Sequence, residues 1–336
     1  MLHSWIDEDK QRPFNPAIPG LLRIKAHRLG ATGFQLAISF HHAILDGWSV
    51  ASLFTELFRT YCLLLEGRSI DGAKPLSSYR DFIELEQGAL KSADARKYWE
   101  DQLYGAVSEQ SFWKGQQKRI EARRVEAILQ DELMQGLKLL CVDARASMKY
   151  VALAAHISVI GLISGQKDIV TGLVSNGRPE TESGEEVLGL FLNTLPLRIQ
   201  LHGQRWIELV RDVATAEAAL LPFRRFPLAE IQRIGGSKPI FETLFNFVHF
   251  HVFRELDTIK GIRVTNAGGF EQTNFPFVTT FSLDPLGEKL RLRIDYEGTF
   301  IKNEEVDAIL NYYLAALHFL ANESNRICLL YTSRCV

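Results

Sequence analysis

Phe40-His41-His42-Ala43-Ile44-Leu45-Asp46-Gly47-Trp48-Ser49 holds two adjacent histidines, an aspartate four residues after the second, and a glycine directly behind it. Ahead of it, Gly33 to Phe40 alternates apolar and polar with the period of a strand. Phe34, Leu36, Ile38 and Phe40 share one face, and the same period carries His42 onto it. Gln35, Ala37, Ser39 and His41 point to the other face, so the two histidines have different jobs. Gly47 can supply a backbone turn that a residue with a Cβ would resist. Ser49 then stands as the cap of a helix with apolar positions at Val50, Leu53, Phe54, Leu57, Tyr61, Leu64 and Leu65, and Gly67 as its stop. A strand end, a histidine, a tight turn and a helix start together make a mount for a catalytic base.

The rest of the composition narrows the function classes. At 336 residues, 46% hydrophobic and 23% charged, the chain is an ordinary globular sequence, long enough for two domains. A net charge of −2 gives no electrostatic case for nucleic acid or an anionic membrane. No apolar run has the length of a membrane span, and Met1-Leu2-His3-Ser4-Trp5 opens no signal peptide. Cys62, Cys141, Cys328 and Cys335 have neither metal-site nor disulfide-framework spacing, which leads to the expectation of a reducing cytoplasm. His249 and His251 would share a strand face, but two ligands do not make a zinc site, so no metal is expected. The Gly161–Lys167 and Gly235–Lys238 stretches miss the phosphate-loop spacing, and no Gly-x-Ser-x-Gly elbow occurs.

Along the chain, residues 1–20 read as an irregular approach, with Pro13, Asn15, Pro16, Pro19 and Gly20 as turn signals. Strands are expected at 21–27, 123–129, 169–174, 239–247, 275–283 and 290–296, besides the motif strand. Helices are expected from Ser77, at 93–103, 131–140, 149–161, 206–221 and 304–321. Residues 325–336 have no periodicity and read as a disordered or non-native tail.

The opening stretch resembles the core motif of the condensation domains of non-ribosomal peptide synthetases, within the chloramphenicol acetyltransferase-like superfamily. Further segments are similar to that family's fingerprints: Tyr79-Arg80-Asp81-Phe82, Tyr98-Trp99-Glu100-Asp101-Gln102-Leu103, the Gly177-Arg178 loop, Leu188 to Arg198 around Asn193-Thr194, and the weaker Phe226-Pro227-Leu228. The resemblance covers about residues 20–322 and implies an α/β chain of two chloramphenicol acetyltransferase-like lobes with a tunnel between them. It makes residues 1–72 the remnant of an incomplete N-terminal lobe, residues 73–324 the C-terminal lobe, and residues 325–336 the tail. Two motifs that precede the double histidine in the family are missing, so the start reads as a truncation.

By the same resemblance His42 is catalytic, as a base or as an orienting group. His41, Asp46, Gly47 and Trp48 are structural members of the motif, with Asp46 ion-paired to an arginine whose place, in this chain or in the missing part, stays open. Arg178 is either a solvated loop charge or a structural ion-pair partner. Asn193 either holds a loop beside the tunnel or is a buried turn amide. The implied reaction forms an amide between an acyl or peptidyl thioester on an upstream carrier domain and an aminoacyl thioester on a downstream one. The partners are those peptidyl carrier domains and a neighbouring adenylation domain, with no nucleic acid and no membrane. The domain binds no cofactor itself, and 4'-phosphopantetheine arrives on the carriers. A coenzyme A-dependent acyltransferase of the same fold and a non-catalytic docking fragment remain as alternatives.

Overall fold

The computed structural model describes residues 2–31, 33–70, 76–106, 121–236, 239–249, 262–263, 265, 275–284 and 288–328. Its contacts divide the chain into two compact units. One comprises Met1–Phe82 and Arg178–Leu192, with a further segment, 252–263, that falls almost wholly outside the described residues. The other comprises Ile83–Gly177, Asn193–His251 and Val264–Val336. The expected boundary at residue 72 differs from this: the motif's unit runs on to Phe82 and includes a much later stretch of chain.

The first unit begins with helix α1 (Leu2–Lys10), where the sequence had suggested an irregular approach. Turn residues dominated that reading, but they all lie beyond Lys10, and the helix is held by tertiary contacts rather than by strong propensity. Asp9 is paired to Arg23 at 2.6 Å, and the Arg23 guanidinium lies 3.8 Å over the Phe14 ring. Burial alone would raise the Asp9 pKa, but hydrogen bonds from Ser39 and Arg23 bring it below the usual aspartate value. Arg23 lies on strand β1 (Leu22–Leu29), which pairs antiparallel with β2 (Gly33–Phe40) along its whole length, from Leu22 opposite Phe40 to Leu29 opposite Gly33. Helix α2 (Gly47–Leu65) reaches the hairpin through Tyr61 and Phe58, whose rings lie 5.6 and 6.3 Å from Phe34. It stops where expected, with Glu66 as C-cap and Gly67 at φ +69°. Helix α3 (Tyr79–Lys91) starts in this unit.

In the second unit come α4 (Ala93–Leu103), β3 (Ala122–Ile128), α5 (Asp131–Ala144), α6 (Met148–Ser164), β4 (Asp168–Asn176), β5 (Leu192–Gln200), α7 (Trp206–Leu220), α8 (Leu228–Ile234), β6 (Thr243–Val248), β7 (Phe277–Leu283), β8 (Leu290–Glu297) and α9 (Asn303–Asn322). The strands form one six-stranded sheet in the order β3-β8-β7-β6-β4-β5. β4, β6 and β7 run parallel, while β8 is antiparallel to both β7 and β3. Helix α6 is apolar on every side, as a helix must be when it is covered all round, and it is buried from Val151 to Gly161. It packs on β4, β6 and β7, and α5, α7 and α9 pack on it. Strand β6 starts at Thr243, later than the apolar pattern suggested. Residues 325–328 correct the expected tail. Cys328 is buried with its thiol 3.2 Å from Ser158 Oγ, and the Ser324 and Arg326 carbonyls accept from the Ile207 and Trp206 N–H groups at the start of α7. Residues 329–336 lie outside the described residues. No single described helix is long and apolar enough to cross a membrane.

Candidate active site

The strand of the motif ends at Phe40, and the chain then turns. The His41 carbonyl accepts from Ile44 N at 3.1 Å, closing a four-residue turn that presents His42 and Ala43. His42 is exposed, and its ring stands 6.4 Å from that of Phe40 at 70°. His41 is half-buried: its N–H donates to Leu21 O, its Nδ1 accepts from Ala43 N at 3.0 Å, and its ring meets Phe14 edge-on. The turn therefore lies at 41–44 rather than at Gly47, which is the first residue of α2.

Asp46, rather than Ser49, caps that helix, because its Oδ1 accepts from Ser49 N at 2.7 Å. The same carboxylate accepts from Phe191 N through Oδ2 at 3.1 Å, and the Asp46 N–H donates to Gly189 O. Arg178 completes the group. Its Nη2 lies 3.1 Å from Asp46 Oδ1 and 2.7 Å from Ser49 Oγ, and its Nη1 donates to Val187 O at 2.6 Å. The guanidinium also sits 4.0 Å over the Phe191 ring. With side-chain exposures of 5% and 1%, Arg178 and Asp46 form a buried, hydrogen-bonded ion pair, so Arg178 is no solvated loop charge. Of the two readings left open for Arg178, the ion-pair partner is the one the structure shows, and it reaches Asp46 from far along the chain. Burial pulls the Arg178 pKa down and Asp46 opposes that. Guanidinium is so strong a base that the side chain stays charged.

The remaining members of the group grip the same segment. Trp48 Nε1 donates to Glu185 O at 3.1 Å, and Ser49 Oγ bridges Gly189 N and O. The Tyr79 hydroxyl donates to Leu190 O, and Phe82 meets Phe191 at 5.2 Å. A Cβ on Gly189 would run into the Tyr79 ring. Sequence reasoning missed Ser49, Gly189 and Phe191 in these roles. Ser49 stood out only as a helix cap, and backbone partners some 140 positions away leave no local signal.

Asn193 belongs to the other unit. Its Nδ2 donates to the carbonyls of Arg224 and Phe226 at 2.9 and 2.8 Å, and its Oδ1 accepts from Leu228 N, so this amide holds the loop after α7. His249 lies beyond the end of β6, and His251 lies outside the described residues. Among the described residues no three His, Cys, Asp or Glu side chains gather as a metal site.

The double-histidine turn, its ion pair and the sheet topology can be set beside known proteins. The chain is 33% identical over 323 residues to the AMB antimetabolite synthetase AmbE of Pseudomonas aeruginosa, covering 94% of this chain and 15% of that protein. It is 25% identical over 345 aligned positions to bacitracin synthase 3 of Bacillus licheniformis, covering 97% of this chain and 5% of the relative. The chain thus spans only a small part of the curated relatives it matches. Among solved structures, the first condensation domain of the calcium-dependent antibiotic synthetase matches with a TM-score of 0.78 at 20% identity, covering 97% of this chain and 73% of that one. The X-domain from teicoplanin biosynthesis matches with a TM-score of 0.82 at 17% identity, covering 97% and 78%. These two likenesses establish the two-lobed α/β fold alone. The condensation-domain family model matches residues 1–328, almost the entire length, and with it this chain belongs to the condensation-domain family.

Proposed function

We propose that the chain catalyses amide-bond formation between two thioesters, each carried on phosphopantetheine by a carrier domain of a peptide synthetase. The amine of the acceptor attacks the donor carbonyl, the C–N bond forms, the C–S bond breaks, and the donor carrier's thiol leaves. The amine, with a free pKa of about 8, gives up a proton on the way, and a neutral imidazole accepts it and passes it to the departing sulfur. His42 is the residue assigned to that work. The observation that carries this reading is the buried Asp46–Arg178 pair, which fixes the start of α2 directly behind the exposed His42 turn. A catalytic group gains from being held in place before substrate arrives.

The partners in this reading are the upstream and downstream carrier domains and an adenylation domain. Relatives named as an antimetabolite synthetase and a bacitracin synthase support it. No cofactor is assigned to the domain itself, and phosphopantetheine enters as part of the substrates. A cytoplasmic setting belongs to the same proposal, and the thiols of Cys62 and Cys141, outside any disulfide, fit it. The test is amide formation between loaded donor and acceptor carriers in the synthetase that contains this domain. His42→Ala is expected to lower turnover by at least about a hundredfold, the low end for general acid–base catalysis, with the melting temperature unchanged. Product formation at the wild-type rate by that variant overturns the assignment.

A further inference from the structure

His41 and His42 are neighbours with different surroundings, and His41 makes hydrogen bonds on both sides of His42. Ahead of His42, the His41 N–H donates to Leu21 O, which extends the hydrogen bonding of the hairpin by one residue beyond β2. After it, Ile44 N donates to His41 O at 3.1 Å. Between the two, Ala43 N donates to the His41 ring nitrogen Nδ1 at 3.0 Å. The first residue of a tight turn is often Asn or Asp because its side chain accepts from the N–H two residues on. Here an imidazole does that. Nδ1 of histidine and Oδ1 of asparagine are the same number of bonds from the Cα, so the two acceptors reach the same place. As an acceptor, Nδ1 carries no proton, so the neutral ring holds its hydrogen on Nε2.

We propose that His41 is the positioning residue for His42: its Nδ1 locks the turn by accepting from Ala43, and it takes no part in proton transfer. The inference rests on the assignment of His42 as the reacting group, but the lock itself can be observed without any reaction. The Phe14 ring contact holds the His41 imidazole from the side and is a packing partner rather than the lock.

Two substitutions separate these contributions. His41→Ala and His41→Asn both lose the ring and its contact with Phe14, and only the asparagine keeps an acceptor at the δ position. The test uses the full chain labelled with 15N at alanine and histidine. In the wild type, the Ala43 amide is expected to exchange slowly with solvent, and the His41 ring to show a single Nε2–H tautomer. In His41→Ala, exchange at Ala43 is expected to speed up by about tenfold, the scale of one net hydrogen bond. In His41→Asn it is expected to stay within about threefold of wild type, on the same scale. If His41→Ala does not fold, His41→Leu replaces it, keeping bulk against Phe14 without an acceptor. The carrier assay adds the functional readout: turnover falls with KM unchanged in the variant without an acceptor and recovers in His41→Asn. Equal exchange at Ala43 in wild type and in the variant without an acceptor overturns the proposal, and so does fast exchange in His41→Asn. A wild-type protein that forms no amide while Ala43 exchange follows the expected order removes the assigned reaction and leaves the lock standing.

Discussion

At Asp46 one carboxylate serves three partners: the Ser49 N–H, the Phe191 N–H and the Arg178 guanidinium. Removing it strands a buried cation and frees the first turn of α2 at once. Asp46→Ala is expected to cost about 3–5 kcal/mol, the scale for breaking a buried pair, read as a lower denaturation midpoint along with lost turnover. Unchanged stability with reduced turnover would instead put Asp46 in contact with substrate. Arg178→Lys tests the other side of the pair. A lysine keeps the charge but cannot reach Asp46, Ser49 and Val187 O together, so it too is expected to destabilise. The bracing role of Asp46 was legible in the sequence through the motif's resemblance. The cap itself was not: Ser and Asp are both good N-caps, and three residues of helix separate the two choices.

Among the elements, those with strong periodicity were legible and those made by tertiary contact were not. α4 was read to the residue, and α6 was recognisable as a covered helix from its apolar, alanine-rich content. α1 was missed because what holds it, the pairing of its Asp9 with Arg23 of β1, lies outside the helix. Inside α6 sits a feature no pattern announces. His156 is wholly buried, with Nδ1 at 2.7 Å from the Tyr313 hydroxyl and Nε2 at 2.9 Å from Thr171 Oγ1. Thr171 goes on to Thr243, and Tyr313 to Thr279, so one chain of hydrogen bonds ties α6 and α9 to β4, β6 and β7. Burial pushes the His156 pKa down to about 3. As pH falls below about 6.5, the unfolded chain takes up a proton that the folded chain refuses until about pH 3. In that window this histidine lowers stability by up to about 1.4 kcal/mol per pH unit. Denaturation midpoints of wild type and His156→Gln, compared from pH 7 to pH 4, are expected to converge as pH falls. Parallel curves would mean that His156 is not neutral in the fold.

For the molecule as a whole, the two units have very different cores. The main apolar cluster, from Ala95 to Cys328, belongs entirely to the second unit. Among the described residues, the first has Phe82, Val187 and Phe191 with Tyr79 as its clustered core. Its hairpin has only two strands, and Ile24, Leu29, Leu64 and Leu65 are each more than half exposed. Two-stranded sheets are marginal in water, and thin cores open first. Hydrogen exchange and limited proteolysis are expected to show the hairpin and α2 opening well before α6 and the six-stranded sheet. Equal protection across both units would show that the ion pair and its hydrogen bonds make up for the small core. The presence of two units was expected from the family likeness. Their membership was not, since no local rule sends residues 178–192 back to residue 46.

That return has a consequence in time. Asp46 and Arg178 are 132 positions apart. A ribosome adding about 5–20 residues per second needs on the order of ten seconds to cross that distance. Throughout that interval the nascent chain already has its double histidine, while Arg178 and the partners at Gly189 and Phe191, which brace the start of α2, have yet to be synthesised. A stalled chain ending before residue 178 has the complete signature but no guanidinium for Asp46, and is expected to be cut by protease between β2 and α2. One ending beyond residue 192, once clear of the exit tunnel, is expected to resist. The signature is thus written early in translation and becomes a shaped site only late in it.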